Sequence, residues 1–99
     1  MARKPKAAGT VRPPRRAMVV DPLCHEDLRY WVREQPKIAE KIMGLMAEVI
    51  RDPFAGTGKP EPLKGLGTNV WSRRITQEHR LVYMVSEDRI DFLQARYHY

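Results

Sequence analysis

The hydrophobic period of this chain changes part-way along, and that change limits the architectures open to it. Between Asp21 and Asp52 apolar residues recur at the spacing of a helix face, while beyond residue 69 they fall in short strand-like runs. A punctuated stretch, PFAGTGKPEPLKGLGTN at 53–69, separates the two regimes and holds four of the six glycines. Asp21 suits a helix N-cap, and Pro22 suits the first helical position, where a missing N–H costs nothing. Cys24, Leu28, Trp31, Val32 and Gln35 then predict an amphipathic helix that Pro36 breaks or restarts. Ile38, Ile42, Leu45, Met46 and Val49 form a second stripe that stops by Asp52-Pro53, so the pair reads as an αα-hairpin.

Ahead of the helices, Ala17–Val20 reads as a strand. After the loop, Val70–Ile75, Arg80–Val85 and Ile90–Tyr97 are strand-like, joined by connections of hairpin length. The predicted order is β-α-α-β-β-β, an α+β fold. The 99 residues allow one domain, placed at 17–99. No apolar run approaches the roughly 18 residues of a membrane span, so no membrane partner is expected. The single cysteine, Cys24, excludes an intrachain disulfide, and a cytoplasmic protein is expected.

Net charge is +6, from 18 bases and 12 acids. Six of those bases lie in residues 1–16, where there is no acid, so residues 17–99 are neutral with 12 of each. That tail mixes Pro, Gly and like charges and is expected to be disordered. It is either a basic arm adding salt-sensitive attraction to RNA phosphates or a dispensable extension before a body beginning near Met18. Within the body, Lys59–Arg80 carries five bases against two acids, whereas Asp21–Asp52 carries seven acids against five bases. A sheet lined with arginines is a plausible seat for a polyanion.

Arg73 and Arg74 are adjacent in a strand and alternate between its faces, so either can lean toward what the sheet covers or simply be solvated. Arg80 and Arg96 also fall in strand patterns and read first as surface charges. Glu61 is held between Pro60 and Pro62, which restrict the backbone around one carboxylate. The chain ends Arg96-Tyr97-His98-Tyr99, an aromatic terminus expected to dock in the sheet. His98 can exchange a proton near neutral pH; His25 and His79 read as packing or surface residues. No histidine pair has metal-ligand spacing beside a carboxylate, so no metal is expected. Glu, Arg and His are the side chains needed to cleave RNA without one: a base for the 2′-hydroxyl, a cation for the phosphoryl oxygens and an acid for the leaving oxygen.

Asp52-Pro53-Phe54, Gly58-Lys59-Pro60-Glu61-Pro62-Leu63-Lys64, Trp71-Ser72-Arg73-Arg74-Ile75, Glu78-His79-Arg80-Leu81-Val82-Tyr83 and Ala95-Arg96-Tyr97-His98-Tyr99 resemble, in order and with matching gaps, the YoeB (Txe) toxins of type II toxin–antitoxin systems, within the RelE superfamily. The likeness runs from about Met18 to the last residue. It implies a RelE-like fold, two helices packed on a twisted antiparallel sheet. It implies an mRNA interferase cutting in the A site of the 70S ribosome, with Glu61 as general base, His98 as general acid and Arg80 stabilising the phosphoryl transition state. It implies that Tyr99 orients the substrate and that Lys64 and Arg74 lie near RNA phosphate; Arg73 beside them is expected to bind phosphate as well. No cofactor is implied. A YefM-like antitoxin is the implied partner, and the toxin is expected to form a homodimer.

Departures from the family pattern are Val70, where an aromatic residue is common, the loop Gly65–Asn69, His25 in the first helix, and the basic tail. None removes an implied catalytic residue. A second reading, a non-catalytic RelE/ParE-type toxin that binds a target such as gyrase, gives no purpose to Glu61, Arg80, His98 and Tyr99 together. A generic RNA-binding module fits poorly with a neutral body and two phenylalanines.

Overall fold

The computed structural model describes residues 15–97. The basic tail through residue 14 and the two terminal residues, His98 and Tyr99, lie outside the described residues. The elements are β1 (Ala17–Val20), α1 (Pro22–Glu34), α2 (Pro36–Arg51), β2 (Glu61–Pro62), β3 (Val70–Arg74), β4 (Arg80–Val85) and β5 (Arg89–Gln94). The five strands form one sheet in the order β1-β5-β4-β3-β2. β2 through β5 pair antiparallel with their neighbours, whereas β1 pairs parallel with β5. The sheet is therefore mixed rather than wholly antiparallel, because two helices intervene between β1 and the rest and return the chain in the same direction.

Both helices start at proline, as expected, though the Asp21 side chain makes no capping bond. The α2 stripe buries Ala39, Ile42, Leu45, Met46 and Val49. From α1, Cys24 and Trp31 join them, while Val32 turns to solvent. Against these lie Ile75, Leu81, Tyr83, Val85, Ile90 and Phe92 from one face of the sheet. Burying that face is what holds the layers together, at about 25 cal/mol per Å² of apolar surface. The opposite face carries a smaller apolar cluster, Leu63, Val70 and Val82, with Met84 and Leu93 beside it. The segment after β2 is tied down over that face by Leu63 N–H to Val70 O (2.8 Å) and Val85 N–H to Asn69 O (2.9 Å).

The expected 17-residue loop thus contains β2, a strand too short to show any period. Its first half is ordered by Arg73, whose side chain is wholly buried. The guanidinium donates to Asp52 O (2.5 Å), Ala55 O (2.8 Å), Thr57 O (3.3 Å) and the Tyr83 hydroxyl (3.3 Å). Tyr83 in turn donates to Pro53 O (2.6 Å), and the Glu48 carboxylate lies 3.6 Å from the guanidinium. Glycine is required at 58: at φ +86° an added Cβ would sit 2.9 Å from Arg74 O, and Gly58 O accepts from Arg74 N–H at 2.7 Å. Among the described residues no helix is long and apolar enough to cross a membrane.

Candidate active site

The face of the sheet turned away from the helices carries the polar groups. Cross-strand register sets Glu61 opposite Ser72 and Arg74 opposite Arg80. Alternation puts Ser72 and Arg74 on the outer side of β3, and Arg80 beside Val82 on the outer side of β4. Arg80 Nη1 lies 2.7 Å from Glu61 Oε1 and donates to Ser72 Oγ at 3.2 Å. The Arg80 side chain is only 16% exposed, whereas Glu61 is about half exposed at 51%. A largely buried guanidinium is thus held at the rim of the sheet by a carboxylate that solvent, or a ligand, can reach.

The Arg74–Arg80 juxtaposition is unusual. Like charges directly opposite on adjacent strands repel, and Glu61 is the carboxylate in contact with Arg80. Arg74 itself is exposed and makes no ion pair among the described residues. Beside it lies an open groove of about 540 Å³ lined by Lys41, Lys59, Arg74, Gly58, Thr76 and Gln77, among others, and by no carboxylate. Lys41 reaches across from α2 and donates to Ile75 O at 2.5 Å, which fixes one wall. The rim of the sheet therefore presents positive potential that protein carboxylates leave largely uncompensated.

β5 ends at Gln94, so the last residues do not continue the sheet as expected. Ala95–Tyr97 instead leave it and dock on α1 and on the turn before β4. Ala95 N–H donates to Asp27 Oδ2 (2.9 Å), and Trp31 Nε1 donates to Ala95 O (2.9 Å). Arg80 N–H donates to Tyr97 O at 3.3 Å, which brings the chain back to the Arg80 end of the site. Burial is the main cause that raises the Asp27 carboxyl above its ordinary value, opposed by the Ala95 N–H.

Of the residues singled out from sequence, Glu61 and Arg80 are brought into contact, and Arg74 lies directly across the β3–β4 pair from Arg80. Lys64 is exposed on the segment following β2. Arg73 does not join them. It points to the helix side, fully buried, with its guanidinium taken up by loop carbonyls and Tyr83, so the expectation of a phosphate contact is corrected to one of anchoring the loop. His98 and Tyr99 lie outside the described residues. Ser72 and Lys41 were not singled out from sequence as site residues, and Lys59 only as one of the bases of the Lys59–Arg80 stretch, because strand register and the fold of the loop bring them here.

Residues 21–99 match the family model described as the YoeB-like toxin of bacterial type II toxin–antitoxin systems. The chain belongs to this family. It is 49% identical over 84 residues to the toxin YoeB of Mycobacterium bovis, covering 85% of this chain and 99% of that one. Its fold superposes on a YoeB/ParE toxin from Agrobacterium tumefaciens with a TM-score of 0.78 at 45% identity, covering 84% of this chain and 99% of the other. YoeB from Staphylococcus aureus, solved as a dimer, gives 0.79 at 38% identity over 86% and 99%. The same S. aureus toxin is also known in complex with YefM, with a TM-score of 0.74 over the same coverage. The two helices on a sheet are thus the RelE/YoeB architecture, and the chain is a YoeB-family toxin.

Proposed function

We propose that this toxin is an endoribonuclease that cuts mRNA in the ribosomal A site, acting where ribosomes are, in the cytoplasm. The observation that carries the reading is the Glu61–Arg80 pair at 2.7 Å on an open, basic rim, with the last described residue hydrogen-bonded to the Arg80 backbone. In the free protein Arg80 is satisfied by Glu61. An RNA phosphate entering the rim offers Arg80 a better partner, since guanidinium binds phosphate with a matching fork of donors. Glu61 is then released to act as a base.

The chemistry follows as an internal transfer. Glu61 takes the proton of the 2′-hydroxyl, and the 2′-oxygen forms a bond to the adjacent phosphorus. The bond from phosphorus to the 5′-oxygen breaks, and His98 gives that oxygen its proton. The products are a 2′,3′-cyclic phosphate and a 5′-hydroxyl end. Arg80 stabilises the charge that grows on the non-bridging oxygens, and Tyr99 orients the nucleotide. Arg74 and Lys64, with Lys41 and Lys59 along the groove, hold flanking phosphates. Each proton transfer contributes about 10²- to 10⁴-fold. His98 is one peptide bond from Tyr97, and adjacent Cα atoms are about 3.8 Å apart, so the acid can act near Arg80. The route uses side chains alone.

The relatives support partners as well. A YefM-like antitoxin would neutralise the toxin, and the S. aureus dimer supports a homodimer here. The test is to add the protein to 70S ribosomes programmed with a defined mRNA and to map 5′ ends by primer extension, with free mRNA, Glu61→Gln and His98→Ala alongside. Cuts confined to the A-site codon, absent without ribosomes and lost in both variants, are expected. A well-folded wild type that leaves the mRNA intact would overturn the reading in favour of a toxin that works by binding its target.

A further inference from the structure

We infer that His79 is a positioning residue, fixing the backbone of Tyr97, the residue that precedes the proposed acid His98 in sequence. The inference rests on the reading of His98 as the general acid. His79 Nδ1 accepts a hydrogen bond from Tyr97 N–H at 2.7 Å, across 18 positions of sequence. This bond uses the Nδ1 lone pair, so it forms with the tautomer whose ring hydrogen is on Nε2. Two aromatic rings pack on the imidazole. Trp31 meets it edge-on, with centroids 4.7 Å apart and planes at 85°, and the Tyr97 ring is tilted by 48° at 5.0 Å. Trp31 is itself fixed by its bond to Ala95 O. α1, the turn before β4 and the terminal segment therefore converge on one imidazole.

What this convergence holds is a strained residue. Tyr97 has φ +63°, a left-handed conformation that is uncommon for a bulky side chain. Such a backbone persists only where its surroundings over-determine it. Here the N–H is fixed by His79 and the carbonyl by Arg80 N–H, while Arg96 is held over the Tyr30 ring at 3.5 Å. The strain falls on the residue just before His98. Without the Nδ1 acceptor, Tyr97 relaxes toward ordinary φ, and the backbone geometry that leads into His98 is no longer imposed. His79 touches no reacting atom in this account; it acts through the backbone of Tyr97.

The experiment compares wild type with His79→Ala, His79→Asn and His79→Gln in the full-length toxin. Asparagine places an acceptor near the Nδ1 position, whereas glutamine keeps more volume but moves the acceptor outward. Steady-state cleavage on programmed ribosomes gives kcat and KM, and hydrogen exchange gives the protection of the Tyr97 amide, which does not depend on activity. Expected are a kcat lower by about 10- to 100-fold for the Ala and Gln variants, with KM and YefM binding little changed. The Tyr97 amide should exchange faster in those two, and Asn should restore both readouts. Wild type that cleaves while the Ala and Gln variants match it, or a Tyr97 amide equally protected in all four, overturns the positioning role and leaves the nuclease reading standing. Wild type that does not cleave overturns the nuclease reading, and the positioning role with it.

Discussion

Replacing Arg73 by methionine keeps most of the volume and removes every donor. The loss would fall on Asp52 O, Ala55 O, Thr57 O and the Tyr83 hydroxyl, which the guanidinium now satisfies. Hydrogen bonds from a charged donor are each worth about 1.5–3 kcal/mol net, and a buried acceptor left alone costs about 1–3 kcal/mol. The terms do not add fully, because the 53–58 segment can lift away and hydrate its carbonyls. Detachment caps the loss at about 3–5 kcal/mol, the range seen when one partner of a buried charged network is removed. Native stabilities are about 5–15 kcal/mol, so the change would be a large fraction of the total. For a domain of this size each kcal/mol moves Tm by about 4–8 °C, so the melt should fall by at least about 12 °C.

Arg74→Met is the matched control, one residue along and on the other face. It is exposed and holds no loop, so its stability should stay within about 0.5 kcal/mol of wild type. Urea denaturation of the three proteins, with a thermal melt as a second probe, makes the comparison. A difference below about 1 kcal/mol between Arg73→Met and Arg74→Met would refute the anchoring role and return Arg73 to the set of candidate phosphate ligands.

Glu48 has its carboxyl held below the ordinary 4.5, first by the Thr57 N–H, then by the Thr57 hydroxyl and by Arg73. A folded value below the unfolded one means that this contribution is full above pH 4.5 and is lost as pH falls through the folded value. Glu48→Gln should therefore lose stability less steeply below pH 4.5 than wild type; parallel curves would count against the contact. Cys24 is buried against α2 and the sheet, and burial, aided by Asp27 and Asp21, pushes its thiol up to about 12. It should resist iodoacetamide at pH 8 in the folded toxin and react once unfolded in urea; equal rates in both states would refute its burial.

The two helices were legible from local signals, because proline starts both and the Asp52-Pro53 pair ends the second. Stripes at helical spacing also named most of what the helices contribute to the core. Val32 was misplaced because it lies at the margin of the α1 stripe, where spacing alone does not decide burial. β2 was invisible, since two residues, one of them a proline, carry no period. The parallel pairing of β1 was equally hidden, because pairing partners are chosen across the fold rather than along the chain.

For the candidate site, residue types and family motifs in the sequence named the candidates, Glu61, Arg74, Arg80 and a C-terminal histidine, and the fold they belong to. Tertiary structure alone decided the relations among them. Register between β2, β3 and β4 set Glu61, Ser72 and Arg80 within bonding distance, and the burial of one sheet face divided Arg73 from Arg74. Two adjacent arginines are identical to any local rule. The choice between them is made by which face the helices cover, and so one became the anchor of a loop while the other faces the open groove.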